Sequence, residues 1–595
     1  MKTRGGKGKW FTLRTILRVM AFHRGLYAAS AVGWMIFHLW PLLPGVLGKA
    51  LFDTLEGGTE AELNLTTIVA ILVAAGLARM ASIFGATVAV AGWHVRTRGL
   101  VQRNLLARLF ERPGARAMPG NVGAGISTLR DDSEAISLMG DWGFDALSAV
   151  IFASTGLAIL ISVDARVTLL VMVPMICVIA LAQLAKARAH TLRERSRAAT
   201  AQVTGTIGEI VVAVRAIQAA GTQDNVVAHL ARQGDERRHA MVRDKTQSYA
   251  LDAVFNSTAS LGAGLILLTA AGAMRSGDFT IGDFVLFATY LMQVASYTGF
   301  IGYLVRTFQQ VRVSLDRSVE LMQGAPPMDV VKHHPLYLKS DAPVDVPPRR
   351  ADEPLDVLNA TGLTYRFPGS ERGIDDVSLR VERGSVTVVA GPMGAGKTTT
   401  LRALLGLLDR QGGEIDWNGR AVADPGDFLV PPRVAYTAQT PTLVSGTLRE
   451  NILLGLPDDG GVVTDAVRRA VLGPDVASMP DGLDTEIGVR GVRLSGGQIQ
   501  RTAAARMFAR DPELLVMDDL SSALDVETER ELWRMVFSAG VTVLAVSHRR
   551  AVLERADQIV LLDSGSVVAR GTLLELLDTS PQMRRLYGPE AARPH

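Results

Sequence analysis

Hydrophobic positions crowd the first half of the chain and thin out in the second. Nearly unbroken apolar stretches run over residues 26–52, 68–93, 146–163, 167–184, 254–274 and 284–304. Each is close to the ~20 residues that a helix rising 1.5 Å per residue needs to cross a ~30 Å hydrocarbon layer. Six such stretches in one half of a chain leave too little polar surface for a soluble fold, so the pattern predicts six membrane spans. The connections alternate in length. Links at residues 162–166 and 275–283 are very short, whereas those at 96–141 and 186–252 are long and rich in helix formers. Gly and Pro are sparse in the long links outside residues 113–125. They predict helical hairpins that continue the spans as stalks.

Charge sets the orientation. Lys2, Arg4, Lys7, Lys9, Arg14 and Arg18 precede the first span, whereas Asp53, Glu56, Glu60 and Glu62 follow it without an intervening Lys or Arg. By the positive-inside rule the N-terminus is cytoplasmic and the acidic loop lies outside. No short apolar segment with a small-residue cleavage site precedes the first span, so a removable signal peptide is not expected. Trp10 is already within reach of that span, so a peptidase domain in front of it is not expected.

Past Phe308 a helical segment with Arg312 and Arg317 leads into residues 324–354, whose Pro, Asp and Lys content reads as a linker. Beyond it, β-branched runs at 386–390, 541–546 and 559–562 alternate with helical stretches such as 398–408. That alternation predicts an α/β domain with mainly parallel strands. The expected plan is a membrane domain over 1–323, a linker over 324–354 and a soluble domain over 355–595. Composition agrees: only 20% of the 595 residues are charged, against roughly one quarter in soluble proteins. A net charge of +3 gives no footing for a nucleic-acid partner, and none is expected. Cys177 is the one cysteine, which excludes an intramolecular disulfide framework and a multi-cysteine metal site.

The soluble half carries the chemistry. A predicted strand at 386–390 runs into Gly391-Pro-Met-Gly394-Ala395-Gly396-Lys397-Thr398, followed by Thr399 and a helix. This is G-x-x-x-x-G-K-[ST], a phosphate-binding loop in its strand–loop–helix setting. Its glycines let backbone N–H groups turn inward onto phosphate oxygens, and the helix adds its positive N-terminal end. Lys397 would reach the β- and γ-phosphates, and the Thr398 hydroxyl would ligate Mg²⁺. The apolar run 514–517 ends in Asp518, a carboxylate suited to hold Mg²⁺ through water. Leu494-Ser495-Gly496-Gly497-Gln498 is a second helix start that offers N–H groups and a hydroxyl to a phosphate. Because the domain already has a phosphate loop, a second anion-binding helix start suggests ATP held between two domains.

With these motifs the chain resembles an ATP-binding cassette (ABC) transporter of the exporter-like half-transporter kind, over nearly its whole length. The resemblance implies an all-α six-helix transmembrane domain followed by an α/β P-loop nucleotide-binding domain, with ATP and Mg²⁺ as cofactors. It also implies roles for residues in the family order. Phe367 matches the aromatic that stacks on adenine, Gln439 the glutamine that contacts Mg²⁺ and the membrane domain, Asp525 the loop that communicates across the dimer, and His548 the switch histidine on the γ-phosphate. Segments 123–132 and 204–218 resemble the tips of the two stalks, where short helices press into cassette grooves near Gln439.

Two positions depart from the family. Asp519 stands where most active cassettes have Glu to polarise the attacking water. From the same backbone its carboxylate falls roughly 1 Å short of a base that must lie within about 3 Å of that water. Val489 stands where a cross-domain Glu is usual. With Ser495–Gln498 intact, the resemblance implies one subunit of a heterodimer. Its own site, with Lys397, Asp518 and Asp519, would be slow, and its signature would complete the site of a partner with an intact Glu. A homodimer with slow ATPase, an importer on the same fold (of siderophores, for example) and a regulatory membrane subunit are the alternatives. A soluble ATPase of DNA repair or translation would share the motifs but not six spans. The implied setting is a bacterial inner membrane, multi-pass, with the nucleotide-binding domain in the cytoplasm. Nothing in the sequence identifies the cargo. His38, Arg79, Asn256 and Gln293 are candidate cavity liners, whereas Trp34, Trp40 and Tyr297 read as packing or interface residues.

Overall fold

The computed structural model describes residues 9–56, 64–111, 122–276, 279–338, 340, 351–458, 460–488, 494–520 and 523–587. Side chains at 171, 174–190, 295–306 and much of 251–273 are outside the description. So are the sequence features at Lys2–Lys7, Glu60, Glu62 and Val489, and the side chains of Cys177, Asn256 and Tyr297. The chain divides into two compact units, one of Met1–Leu106 and Pro119–Leu336, the other of Ala107–Met118 and Tyr337–His595.

The first unit is helical: α1 (Lys9–Met20), α2 (Arg24–Leu39), α3 (Leu42–Leu55), α4 (Leu65–Glu111), α5 (Val122–Ser127), α6 (Ser133–Leu138), α7 (Asp141–Val163), α8 (Ala165–Ala220), α9 (Gln223–Ser276) and α10 (Ile281–Leu321). The first predicted span is two helices. Pro41 and Pro44 withhold N–H donors from the helical ladder, and the chain breaks at Trp40–Pro41. The short links predicted at 162–166 and 275–283 are caps. Asp164 accepts from the N–H groups of Arg166 and Val167, and Thr280 and Asp283 form a reciprocal capping box. α8 has 56 residues and so runs for about 84 Å, enough for a span and a projecting arm.

The stalk tips differ from each other. At the first, α5 passes through a π-helical turn, Thr128–Asp132, into α6. The buried Asp132 there accepts a 2.7 Å hydrogen bond from Ser314 Oγ on α10. At the second tip, α8 runs to Ala220 and Gly221 (φ 65°) turns the chain into α9. The separate short helix expected there is absent among the described residues, because helix formers continue to the turn and a left-handed Gly closes it directly. Among the described residues four segments are long and apolar enough to cross a membrane: Arg24–Leu55, Leu65–Glu111, Gly123–Val163 and Thr191–Ala220. The last lies in the part of α8 expected to be stalk, where Val212 is 88% exposed.

Close contacts between these helices run through glycine. In lipid no hydrophobic force draws helices together, so small residues that admit close packing do the work. The ring of Trp93 lies over Gly140 and that of Tyr290 over Gly45. Each ring is also tethered, Trp93 Nε1 to Phe22 O at 3.0 Å and Tyr290 Oη to Leu42 O at 2.7 Å. Three basic groups within the unit face aspartates: His38 with Asp145 at 3.1 Å, His94 with Asp141 at 3.0 Å, and Lys49 with Asp283. The stretch read as linker opens with a folded turn, Pro327–Val331, whose Val330 and Val331 are buried. Asn104 Nδ2 donates to Val330 O and Lys332 O, which fastens this turn to α4.

The second unit contains β1 (Val357–Arg366), β2 (Gly373–Glu382), β3 (Val386–Ala390), β4 (Gly412–Trp417), β5 (Arg420–Ala421), β6 (Val434–Thr437), β7 (Gly446–Thr447), β8 (Glu486–Ile487), β9 (Leu514–Asp518), β10 (Thr542–Val546), β11 (Gln558–Asp563) and β12 (Ser566–Gly571). Its central sheet runs β12-β11-β3-β10-β9-β6, parallel except for β12. β3, β9 and β10 are wholly buried, as continuous β-branched runs in a covered parallel sheet should be. A separate antiparallel sheet, β2-β1-β4-β5, was not foreseen from the sequence. Its strands alternate buried and exposed positions and give no parallel-sheet signal.

One prediction follows from the ring-over-glycine contacts. A Cβ on Gly140 would lie 1.9 Å from Trp93 Cη2, so Gly140→Ala should destabilise the membrane unit by about 1–3 kcal/mol. Gly205→Ala on exposed α8, with nothing within 4 Å, should be neutral or stabilising. Thermal unfolding of the purified variants in detergent checks both.

Candidate nucleotide site

The site begins with sheet register. β10 lies between β3 and β9, with Val546 opposite both Val389 and Asp518. The C-terminal ends of the three strands are therefore level, and the loop after β3 opens beside the carboxylate that ends β9. That loop curls through Gly391 (φ 149°), Gly394 (φ 82°) and Gly396 (φ 97°) before α11 (Lys397–Leu404) begins. At Gly391 a Cβ would lie 2.2 Å from Leu562 O, and Gly396 is constrained as well. A Cβ there would meet Ile374 Cγ2 at 2.8 Å as well as the backbone penalty of positive φ.

Lys397 reaches across the loop, donating from Nζ to Gly391 O and Pro392 O at 2.9 Å each. Burial pulls its pKa below the ordinary lysine value, opposed by the charges of Asp519 and Asp518. Thr398 Oγ1 donates to Asp518 Oδ1 at 3.0 Å. Asp518 Oδ2 is buried with no hydrogen-bond partner. Burial raises the pKa of this carboxyl, partly offset by the Thr398 hydrogen bond and the Arg402 charge. A buried oxygen without a donor, beside a hydroxyl, is the donor set that a hard divalent cation bound to phosphates would complete. Among the described residues no cluster of His, Cys, Asp and Glu could hold a metal unaided.

These groups share a cavity of about 1270 Å³ lined by Phe367, the loop from Gly394 to Thr399, Gln439, Asp518, Asp519 and His548. Phe367 is held edge-on to the buried Tyr365, with ring centroids 5.0 Å apart. Asp519 has a left-handed backbone (φ 51°), and its Oδ1 lies 3.4 Å from His548 Nδ1. Its peptide N–H is spent on Val546 O. Asp519, expected beside the attacking water, and His548, expected on the γ-phosphate, are thus side by side at the cavity wall.

Ser495, Gly496, Gly497 and Gln498 do not line this cavity. Ser495 caps α13, counting α12 (Gly473–Ser478) before it and α13 as Gly496–Phe508, through a reciprocal box with Gln498. Gly497 lies against the neighbouring loop, where a Cβ would be 3.1 Å from Ala523 O. The motif is held by residues that sequence inspection missed. Arg501 donates from Nε and Nη2 to both carboxylate oxygens of Asp475 on α12, Gln498 Nε2 donates to the same carboxylate, and Gln500 Oε1 accepts from Ala523 N at 2.9 Å. Gln500 and Arg501 follow the motif directly, but nothing in their spacing points to Asp475. Asp525 caps α14 (Val526–Ser538) by accepting from the N–H groups of Glu527 and Thr528.

The loop geometry gives a direct test. Gly396→Ala should weaken binding of a fluorescent ATP analogue by about tenfold or more, through loss of the positive-φ turn and crowding on Ile374. Gly384→Ala, also at positive φ but with open space around it, should lower stability by ~1 kcal/mol and leave affinity unchanged.

Comparison with known proteins gives the same division of the chain. Residues 28–297 match the ABC transporter transmembrane region and residues 374–522 the ABC transporter cassette. A Bacillus subtilis ATP-binding/permease protein named for multidrug export is 27% identical over 96% of this chain and 97% of its own length. An ATP-dependent lipid A-core flippase of Burkholderia orbicola is 32% identical over 52% of this chain and 51% of its own. Among solved structures, a bacterial Atm1-family ABC exporter with ATP bound superposes with a TM-score of 0.73 at 21% identity, covering 99% of this chain and 100% of that one. With both regions in one polypeptide and a phosphate loop built to hold ATP, the chain belongs to the ABC transporters, membrane proteins that couple ATP hydrolysis to transport.

Proposed function

We infer that this chain exports amphipathic or lipid-like cargo by alternating access, as one protomer of a dimer whose two ATP sites differ in speed. Support for export and for the cargo class comes from relatives named for multidrug export and lipid A-core flipping. Several of the relatives are bacterial, which favours a bacterial cytoplasmic membrane with the nucleotide-binding unit inside.

The residue roles follow from the cavity. Phe367 stacks on the adenine. Backbone N–H groups of Gly394, Ala395, Gly396, Lys397, Thr398 and Thr399 wrap the phosphates, with Gly391 supplying the turn into the loop and Lys397 neutralising their charge. Thr398, Asp518 and Gln439 would hold Mg²⁺, which screens the phosphates when bound. Asp519 orients the attacking water, and His548 contacts the γ-phosphate.

The observation that carries the asymmetry is the contrast between two half-sites of one chain. Ser495 and its capping box are complete, whereas Asp519 places a carboxylate one methylene shorter than Glu would. A misplacement of ~1 Å costs on the order of 100-fold in rate. We therefore assign this chain a non-identical partner that keeps the Glu and borrows Ser495 to Gln498. The competing arrangement, a slow homodimer, draws on the contact between Asp519 and His548, which keeps the shorter carboxylate at the cavity wall.

ATPase measurements on the purified chain test the assignment. Asp519→Glu should raise kcat about tenfold or more, because it restores reach from an unchanged backbone. An unchanged rate would contradict a deficient site, and a wild-type rate unaffected by Asp519→Ala would exclude a role for Asp519 in the chain's own turnover.

A further inference from the structure

We propose that Arg79, with the rings of Phe37 and Trp40, forms a binding site in the membrane unit for an amphipathic anion: one hydrocarbon chain bearing a carboxylate or phosphate. The proposal rests on the export function inferred above and assigns that transporter a class of ligand.

Arg79 lies about 21 Å along α4 from Leu65, well inside a stretch of apolar helix. Ionisable side chains at such depth are expensive and almost always paired. His38, Lys49 and His94 obey that rule, each facing an aspartate. Arg79 does not. Among the described residues its contacts are two aromatic faces, with its guanidinium carbon 4.6 Å from the centroids of both Phe37 and Trp40. Ring faces stabilise the cation without neutralising it, and they leave the N–H edge of the planar group free for an oxyanion. Its Nε is buried and has no acceptor among the described residues.

The space beside it suits the rest of such a ligand. A cavity of about 530 Å³ opens between α2–α3 and α4, walled by Val32, Ile36, Leu39, Leu43, Ala75 and Ala78 together with Trp40 and Arg79. That volume is in the range of small-molecule sites. Arg79 is the only charged member of the lining. The walls are fixed. Trp40 Nε1 is tied to Ala75 O at 3.1 Å, and Ser82 Oγ to Gly33 O at 2.9 Å. Gly33 allows α2 to close against Ala86 at one end of the groove. A cationic amphiphile would be repelled by Arg79, and a neutral one would accept from its N–H groups but leave its charge without a counter-ion. An anion satisfies both the charge and the donor while its chain fills the apolar wall.

Equilibrium binding to the full-length chain in uncharged maltoside detergent tests this without requiring turnover. The radiolabelled probes are oleate, hexadecyl phosphate and neutral monoolein. Wild type should bind both anions about tenfold or more tightly than monoolein, the preference expected of a charge-assisted hydrogen bond. Arg79→Gln should abolish that preference with monoolein binding retained. Arg79→Lys should keep part of it, as a charge without the planar fork. Leu39→Trp fills the cavity and should lose all three probes. Release of bound anion on adding ATP and vanadate marks it as cargo, and retention marks it as a resident lipid at the same site. A wild type without anion preference overturns the proposal. So does an Arg79→Gln protein that keeps it, or a Leu39→Trp protein that binds oleate like wild type. Failure of ATP hydrolysis would count against the inferred transport cycle and leave the binding result intact.

Discussion

The arrangement of this protein turns on one fixed spacing, that between the loop after β3 and the carboxylate at the end of β9. Because β10 pairs in register with both strands, the two ends cannot slide relative to each other, and Thr398 stays within 3.0 Å of Asp518. Both groups are polar and partly withdrawn from water at the ends of buried, mostly apolar strands. Such groups are costly unless something completes their hydrogen bonding or neutralises them. A phosphate chain with its cation does both. The preference for nucleotide is therefore a property of strand order, and the glycines of the loop serve it by letting the backbone approach.

The signature helix is built by the same economy but aimed elsewhere. Its capping box, the Arg501–Asp475 pair and the Gln500–Ala523 bond leave the N-terminal end of α13 rigid. In the dimer proposed above, rigidity matters because a helix end that meets another protomer's phosphate gains by losing little entropy on closure. Ser495 and the glycines beside it are not among the residues lining their own chain's cavity. A polypeptide with a half-site of each kind is completed by a second one, which is how such transporters work as dimers.

Much of this was legible in the sequence, for a physical reason. Gly391, Gly394, Gly396, Lys397 and Asp518 are fixed in kind and spacing because backbone conformation and charge leave few substitutes. The apolar runs of the first half were legible for a similar reason, since hydrocarbon thickness dictates helix length. Features that depend on side chains meeting across the fold were not. Asp475 and Arg501 are 26 residues apart and belong to no shared period. Asp132 and Ser314 meet across a π-helical turn that no hydropathy window detects. Arg79 was visible as a charge inside a span, but its contacts with Phe37 and Trp40 on a neighbouring helix were not, since no hydropathy window shows which faces meet. The second stalk tip was mistaken for a separate helix because resemblance outweighed the uninterrupted run of helix formers before Gly221.

Vanadate-directed photocleavage of the intact transporter, purified with whatever protomer accompanies it, bears most directly on the claim that one nucleotide is held between two chains. Trapped beside ADP, vanadate cuts the backbone that surrounds it under ultraviolet light. The account predicts two cut positions in this chain, near Gly394 and near Ser495, with the second lost when the protomers are separated before trapping. Cleavage confined to the phosphate loop in the intact dimer would contradict it.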